Sequence, residues 1–348
     1  MAKIHSRMGD GWHVEISEVE LKQELENGTQ DAVTQSNLLP LSQDELDYLF
    51  DICKSGNKMS GVESGREVVM SYDGPTFEIR RLGILANRQT AMQIYERCFG
   101  ADSIEFSHID YSYKQVKPII HEEIPQFEQL QSLTIAPMLY GAMPNLGLYT
   151  KPDGPVENPS ELMPMGKVKE AQAAYEEAIE LSVSDMVFVA SEFYEAGCDG
   201  INFDTVGASG DPDFKATLVA TEKLKEKYPD INIEIGMAGE FVLGMHGEIT
   251  HNGKRLAGML PHEQVKMVEA AGANIFGAVM NTQTIKSFPW NLARSITYNK
   301  ACTEVAKIPV HGNMGIGVGS LPVCETQPAE IVSMASKAMV EIANLDGL

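Results

Sequence analysis

Residues 197–240 read GCDGINFDTVGASGDPDFKATLVATEKLKEKYPDINIEIGMAGE. Two apolar runs, Gly200–Phe203 and Ile231–Gly236, flank a stretch with helical patterning, and Gly or Pro marks each junction. Strand, helix and strand in that order make a βαβ unit, whose strands lie parallel in one sheet. The same rhythm begins near residue 91, with further strands expected at Ser103–His108, Leu133–Tyr140, Asn274–Met280 and Pro309–Met314. Helical patterns such as LPHEQVKMVEAAG and NLARSITYNKACTEVAK separate them. No GxGxxG opens the first helix, so six strands in succession predict a (β/α)8 TIM-type barrel rather than an open nucleotide-binding sheet. A full barrel needs about eight strands, so an incomplete one is expected.

Two flanking regions complete the expected organisation. Residues 1–90 form a small N-terminal α+β appendage, with short amphipathic helices in ISEVELKQELENGTQDAV and SQDELDYLFDICKS. Ser42 and Glu45 have capping-box spacing. REVVMSYDGPTFEIRRLG alternates around Tyr72-Asp73-Gly74-Pro75, a hairpin signal. Residues 91–348 form the barrel, lacking its last strands. The chain closes on MVEIANLDGL, and the Asp346-Gly347 pair repeats the Asp199-Gly200 pair that opens a strand. By that precedent Leu348 is the first residue of another strand.

Composition excludes several function classes. The formal net charge of −22 opposes nucleic acid, whose binding needs Lys and Arg counter-charge. No run approaches the roughly 18 continuous apolar residues of a membrane span, and the N-terminus has no secretory apolar core. Five scattered cysteines without a CxxC read as reduced thiols, placing the chain in the cytoplasm. The eight histidines make no HxxxH or HExxH pairing, and His311 and Cys324 do not fit zinc spacing, so no metal site is expected.

In a barrel of this kind the site lies at the C-terminal strand ends. Those ends offer His108 and Asp110, then Tyr140 and Asn145, then Asp204 and Thr205, then Glu240 and His246, then Asn281 and Gln283, and last the glycine-rich GNMGIGVG with Gly315 and Gly317. Carboxylates and amides at several strand ends suit a small cation, because an ammonium group offers only donors and positive charge. A buried carboxylate there can also shuttle a proton. Each of these residues has a competing reading as a helix N-cap. Asp204 and Glu240 point to function, since each directly ends a strongly apolar run. Methionines in MPNL, MAGE and MGIG place soft apolar surface around the mouth.

At these strand ends the chain resembles a known family. FGADSIEFSHIDYSYKQVKP, YGAMPNLGLYTKPDGPVENPSELM, GCDGINFDTVGASGDPD, IEIGMAGEFVLGMHG, AGANIFGAVMNTQTIKSFPWNLARSITY and ASKAMVEIANLDG resemble the dimethylamine:corrinoid methyltransferases of methylotrophic methanogens, as does RMGDG at Arg7–Gly11. The resemblance implies transfer of a methyl group from dimethylamine to the Co(I) corrinoid of a cognate corrinoid protein, within methanogenesis from methylamines. It implies a pyrrolysine directly after Leu348, which makes the chain the inactive fragment before an amber codon. The chain itself is expected to bind no cofactor, since the corrinoid stays on its partner. Catalytic roles fall to Glu240, Asp204 and Gln283, and substrate binding to Asp110, Tyr140, Asn281, Gly315 and Gly317. These roles rest on position at strand ends and not on a family motif. A homo-oligomer is expected.

Two other readings stay open. A phosphosugar aldolase or isomerase would use GNMGIGVG for phosphate and a buried lysine for a Schiff base, with Lys286 the nearby candidate. A non-catalytic fragment that binds only the corrinoid protein is the other.

Overall fold

The computed structural model describes residues 3–56, 58–63, 66, 68–71, 77–79, 84–86, 102–104, 116–117, 139–142, 146–197, 200–244, 248–312 and 329–348. In chain order the elements are β1 (Lys3–Arg7), β2 (His13–Ser17), α1 (Glu18–Ser36), α2 (Gln43–Lys54), β3 (Val69–Ser71), β4 (Phe77–Ile79), β5 (Ile84–Ala86), β6 (Asp102–Ile104), β7 (Val116–Lys117) and β8 (Leu139–Ala142). They continue with α3 (Pro159–Leu162), α4 (Val168–Glu195), β9 (Gly200–Val206), α5 (Asp211–Lys227), β10 (Asn232–Met237), β11 (Thr250–His251), β12 (Lys254–Arg255), α6 (Pro261–Ala271), β13 (Ile275–Ala278), α7 (Phe288–Val305), β14 (Val310–Gly312) and α8 (Ala329–Glu341). From β8 onward the expected alternation of strands and helices is present. The chain forms two units, one of residues 1–105, 261–266 and 277–348, the other of residues 106–260 and 267–276.

The second unit holds a mostly parallel sheet. β8, β9 and β10 pair in parallel, and β7 pairs antiparallel with β8. Asn274, just before β13, exchanges two bonds with Ile233 of β10: its N–H donates to the Ile233 carbonyl at 2.7 Å and its Oδ1 accepts from the Ile233 N–H at 3.0 Å. Ile201, Phe203, Ile233 and Ile235 are fully buried on one side of the sheet, as are Phe214, Leu218 and Leu224 of α5. Helix α5 packs on both β9 and α4. No closed barrel is formed among the described residues.

The first unit is built around α7. Every residue from Phe288 to Asn299 is buried, as expected of a helix enclosed on all sides. Helices α1, α2 and α8 surround it. Helix α1 approaches so closely that a Cβ on Gly28 would sit 2.1 Å from the Trp290 carbonyl oxygen. Beside that crossing Thr297 Oγ1 meets Thr29 Oγ1 at 2.9 Å, and Arg294 Nε donates to Asp31 Oδ2 at 2.8 Å. Both α1 and α2 start at complete capping boxes, Ser17 with Glu20 and Ser42 with Glu45. Tyr48 of α2 donates to Glu341 of α8, whose other oxygen accepts from the Glu63 N–H at 2.7 Å.

Two details of strand pairing bear on the sequence reading. The hairpin expected around Tyr72–Pro75 lies outside the described residues; of the strands on either side, β3 pairs in parallel with β6 and β4 antiparallel with β5. The Asp-Gly precedent fits. Gly200 opens β9, and Gly347 makes a parallel bridge to His311 of β14, with the Gly312 N–H donating to the Gly347 carbonyl at 3.0 Å.

The close crossing at Gly28 gives a prediction whose sign discriminates. Helix propensity by itself makes Gly→Ala favourable by about 1 kcal/mol. With Trp290 backbone in the way, Gly28→Ala is expected to destabilise by about 2 kcal/mol net, read from the urea unfolding midpoint.

Candidate active site

Strand β10 alternates strictly, with Ile233, Ile235 and Met237 on one side and Asn232, Glu234 and Gly236 on the other. Strand β9 alternates likewise, Ile201 and Phe203 against Asn202 and Asp204. The register sets Glu234 beside Asn202, so Asn202, Asp204 and Glu234 share the face opposite the apolar one. A parallel sheet covered on both faces usually reads as a continuous apolar run, so a polar side is a candidate functional surface. Glu234 is buried, and a Cβ on Gly236 would come within 3.3 Å of Asp204 Oδ1, so glycine leaves the carboxylate its room. Asn202 Oδ1 is buried and has no hydrogen-bond partner among the described residues. An amide oxygen in that state calls for a donor. Glu234 sits inside an apolar run and not at its end, and its signal in the sequence is the alternation within INIEIGM.

Beyond the C-terminal ends of these strands two loops join into one ledge. The Ala238 N–H donates to the Val206 carbonyl at 2.8 Å, and the Asp211 N–H donates to the Leu243 carbonyl at 2.7 Å. Gly210 has φ 86°, and a Cβ there would press to 2.9 Å on the same Leu243 oxygen. Glu240 is buried on this ledge, as are Asp211 and Asp213 at the start of α5. Asp213 accepts the Gly207 and Ser209 N–H groups at 3.0 and 3.4 Å, yet burial outweighs them and pushes its pKa up to about 7. Asp211 is 1% exposed, with both carboxylate oxygens unpartnered among the described residues. Burial pushes its pKa up to about 6, with its own backbone N–H and the charge of Arg255 opposing. Neither aspartate stands out in the sequence, where acids at a helix start are ordinary; Asp211 gains its buried setting in the folded chain, where its N–H meets the Leu243 carbonyl.

In the first unit, the loop after β13 carries Asn281, Gln283 and Lys286, all exposed. Arg294 Nη1 donates to the Asn281 carbonyl at 3.3 Å. Asn291 pairs with the main chain of Gln283, and the turn at Gly9–Asp10 binds the carbonyls of Lys286 and Thr284. The Arg7–Gly11 motif therefore has a structural role as the seat of this loop. Lys286 lies over the Trp290 ring at 5.3 Å and is solvated, so it is not the buried lysine that a Schiff-base barrel requires.

Other expected site residues fall elsewhere. Tyr140 of β8 pairs in register with Ile201, while Gly141 pairs with Asn202. His108, Asp110, Asn145, His246, Gly315, Gly317 and Cys324 lie outside the described residues. Among the described residues no group of three His, Cys, Asp or Glu side chains could hold a metal, and no helix is long and apolar enough to cross a membrane. Cys53 and Cys302 are free and buried, and burial raises both thiols, Cys53 to about 12, which makes them unreactive.

A family model described as dimethylamine methyltransferase matches residues 2–348. The chain belongs to that family. Among solved structures, the apo form of the homocysteine methyltransferase MmuM from Escherichia coli is similar at a TM-score of 0.23 and 11% identity, over 57% of this chain and 79% of that one. That likeness is too slight to bear on fold or site. Family membership gives the buried carboxylates of the sheet face and ledge a substrate class to be weighed against, a small amine.

The raised pKa of Asp211 fixes the sign of a pH effect. A carboxyl that is harder to ionise when folded favours the folded state while protonated, and that contribution is lost as pH rises from the ordinary aspartate value through about 6. Asp211→Asn is therefore expected to match the parent near pH 4 and exceed it near pH 8 by on the order of 2 kcal/mol. Thermal melts across that range check it, and a difference independent of pH contradicts it.

Proposed function

We propose that the protein transfers one methyl group of dimethylamine to the Co(I) corrinoid carried by a partner protein, leaving methylamine. Membership of the dimethylamine methyltransferase family supports the donor. The observation that carries the reading is the polar face of β9 and β10, where the buried acceptor of Asn202 stands beside Asp204 and Glu234. A dialkylamine is protonated at neutral pH and presents only N–H donors and positive charge, the complement of carboxylates and an amide oxygen. Charge on nitrogen is also what the reaction needs, because an amine leaves readily only when the departing product is neutral. When the C–N bond breaks, its electron pair stays on nitrogen.

The corrinoid partner supplies the nucleophile that accepts the methyl group. This chain's share is to bind, orient and desolvate the amine and to manage its proton. Asp204 and Glu240 are the residues proposed for that work, with Glu234 added from the fold. A catalytic role for Gln283, in the first unit, is proposed from its position after β13 alone. The parallel sheet is read as part of a (β/α)8 barrel on the strength of the βα alternation, which makes its strand ends the place for a site. Buried free thiols at Cys53 and Cys302 support a reducing, cytoplasmic setting.

Protein purified from its native host, mixed with dimethylamine, the corrinoid partner and a low-potential reductant, is expected to release methylamine. No product, with a partner that still accepts methyl groups from another donor, refutes the proposal. Glu240→Gln is expected to lower turnover by about a hundredfold, a typical loss for a positioned acid–base group. Glu248→Gln changes an exposed residue bonded to Gln172 and should stay within about twofold, in the range of surface substitutions. Equal effects remove Glu240 from the site.

A further inference from the structure

Strands β9 and β10 run in step as far as Ile235, which pairs with Phe203, but the next pair is Met237 with Val206. Between these pairs β9 carries one residue more than β10, a bulge in which Asp204 and Thr205 stand against Gly236 alone. All of these residues belong to the second unit. Bulges re-aim side chains and gather beside active sites. Here the bulge carries the carboxylate of Asp204, on the polar face that also holds the buried Asn202 oxygen, unpartnered among the described residues.

Gly236 is the residue of β10 that has no side chain, and its φ lies outside the left-handed region, so the backbone conformation does not require glycine. Main-chain crowding does not require it either. A Cβ there would stand 3.9 Å from the Phe203 carbonyl oxygen and 4.0 Å from Asp204 Cα, both ordinary contacts. Its closest approach is to the tip of a side chain, Asp204 Oδ1 at 3.3 Å. A glycine inside a strand weakens it, and often marks a place where a ligand comes close. The room that Gly236 keeps is about that of one methyl group, and it opens beside the carboxylate.

We infer that Gly236 determines which amines the site accepts: the space where its side chain would stand takes one N-methyl group of an ammonium ion bonded to Asp204. The inference rests on the reading of the β9–β10 face as the amine site. Methylammonium has a single methyl group and can turn it to the other side of its N–H bond to Asp204, whereas dimethylammonium fills both sides.

Titration calorimetry with methylammonium and dimethylammonium chlorides tests it, on the parent, Gly236→Ala and Asp204→Asn, with melting temperatures alongside. In Gly236→Ala the affinity for dimethylammonium relative to methylammonium is expected to fall by about tenfold, the scale of one methyl group refused by a pocket. Asp204→Asn keeps the shape and removes the charge, so it should weaken both salts by a similar factor, about tenfold. A ratio unchanged by Gly236→Ala overturns the inference, even where both affinities drop, and leaves the amine reading standing. So does a parent that binds dimethylammonium and rejects methylammonium, since a size filter passes the smaller ion. Affinities unchanged in Asp204→Asn overturn it as well, because the ion is then not held at that carboxylate. No binding of dimethylammonium by the parent removes the amine reading itself, and the inference falls with it. If the alanine variant does not fold, diethylammonium chloride is titrated into the parent. Its longer arms exceed the room of one methyl group, so binding at least about tenfold weaker than that of dimethylammonium is expected, and equal or tighter binding overturns the inference.

Discussion

The crossing of α1 over α7 at Gly28 is the constraint on which the first unit depends. With hydrogen in place of a side chain, the α1 backbone comes onto the Trp290 carbonyl. That proximity lets Asp31 reach Arg294, lets Thr29 reach Thr297, and lets Ser287 Oγ donate to Glu24 Oε2 at 2.5 Å. Each bond involves a residue of α7 or its cap. The helix is thereby fixed at the end where Asn291 and Arg294 hold the 281–287 loop. The same buried polar groups on α7 would be costly without these partners, so the short distance is required by the chemistry of the helix and not only by its packing.

In the second unit the deciding feature is a division of labour across the sheet. One side of β9 and β10 is filled by fully buried Ile and Phe side chains against α5, which supplies the stability. The other side keeps Asn202, Asp204 and Glu234, and the loops beyond add Glu240, Asp211 and Asp213. Burying so many acids costs stability unless a proton or a cation is at hand. Burial raises the carboxyls of Asp211 and Asp213, so each holds a proton more readily than an ordinary aspartate. The proposed occupant of the face that carries Asp204, Glu234 and the Asn202 oxygen is a protonated amine, the donor class named by the family to which the chain belongs.

How much of this was legible in the sequence follows from the range of the forces involved. The βαβ rhythm was readable because apolar runs, Gly and Pro act locally, and β9, α5 and β10 lie where GCDGINFDTVGASGDPD and INIEIGM place them. Both capping boxes could be read from three-residue spacings, although only that of α2 was noted. The pairings of β3 with β6 and β4 with β5 join strands that no local pattern ties together. Asp204 and Glu240 stood out as the ends of apolar runs. Glu234 was hidden inside one, and its neighbourhood with Asn202 exists only through the parallel register. Asp211 and Asp213 look like ordinary acids at a helix start, and only the folded chain shows them buried. The reason for RMGDG, a turn seated on the Gln283 peptide, is a contact across more than 270 residues of sequence that no local pattern encodes.

The central claim is that the polar face of β9 and β10 recognises a protonated amine. Titration calorimetry of dimethylammonium chloride into the protein, with Glu234→Gln alongside, addresses it without any need for turnover. The account predicts saturable binding by the parent and an affinity lower by about tenfold in the variant, the worth of one charge-assisted contact. Equal affinity in the two proteins would contradict it.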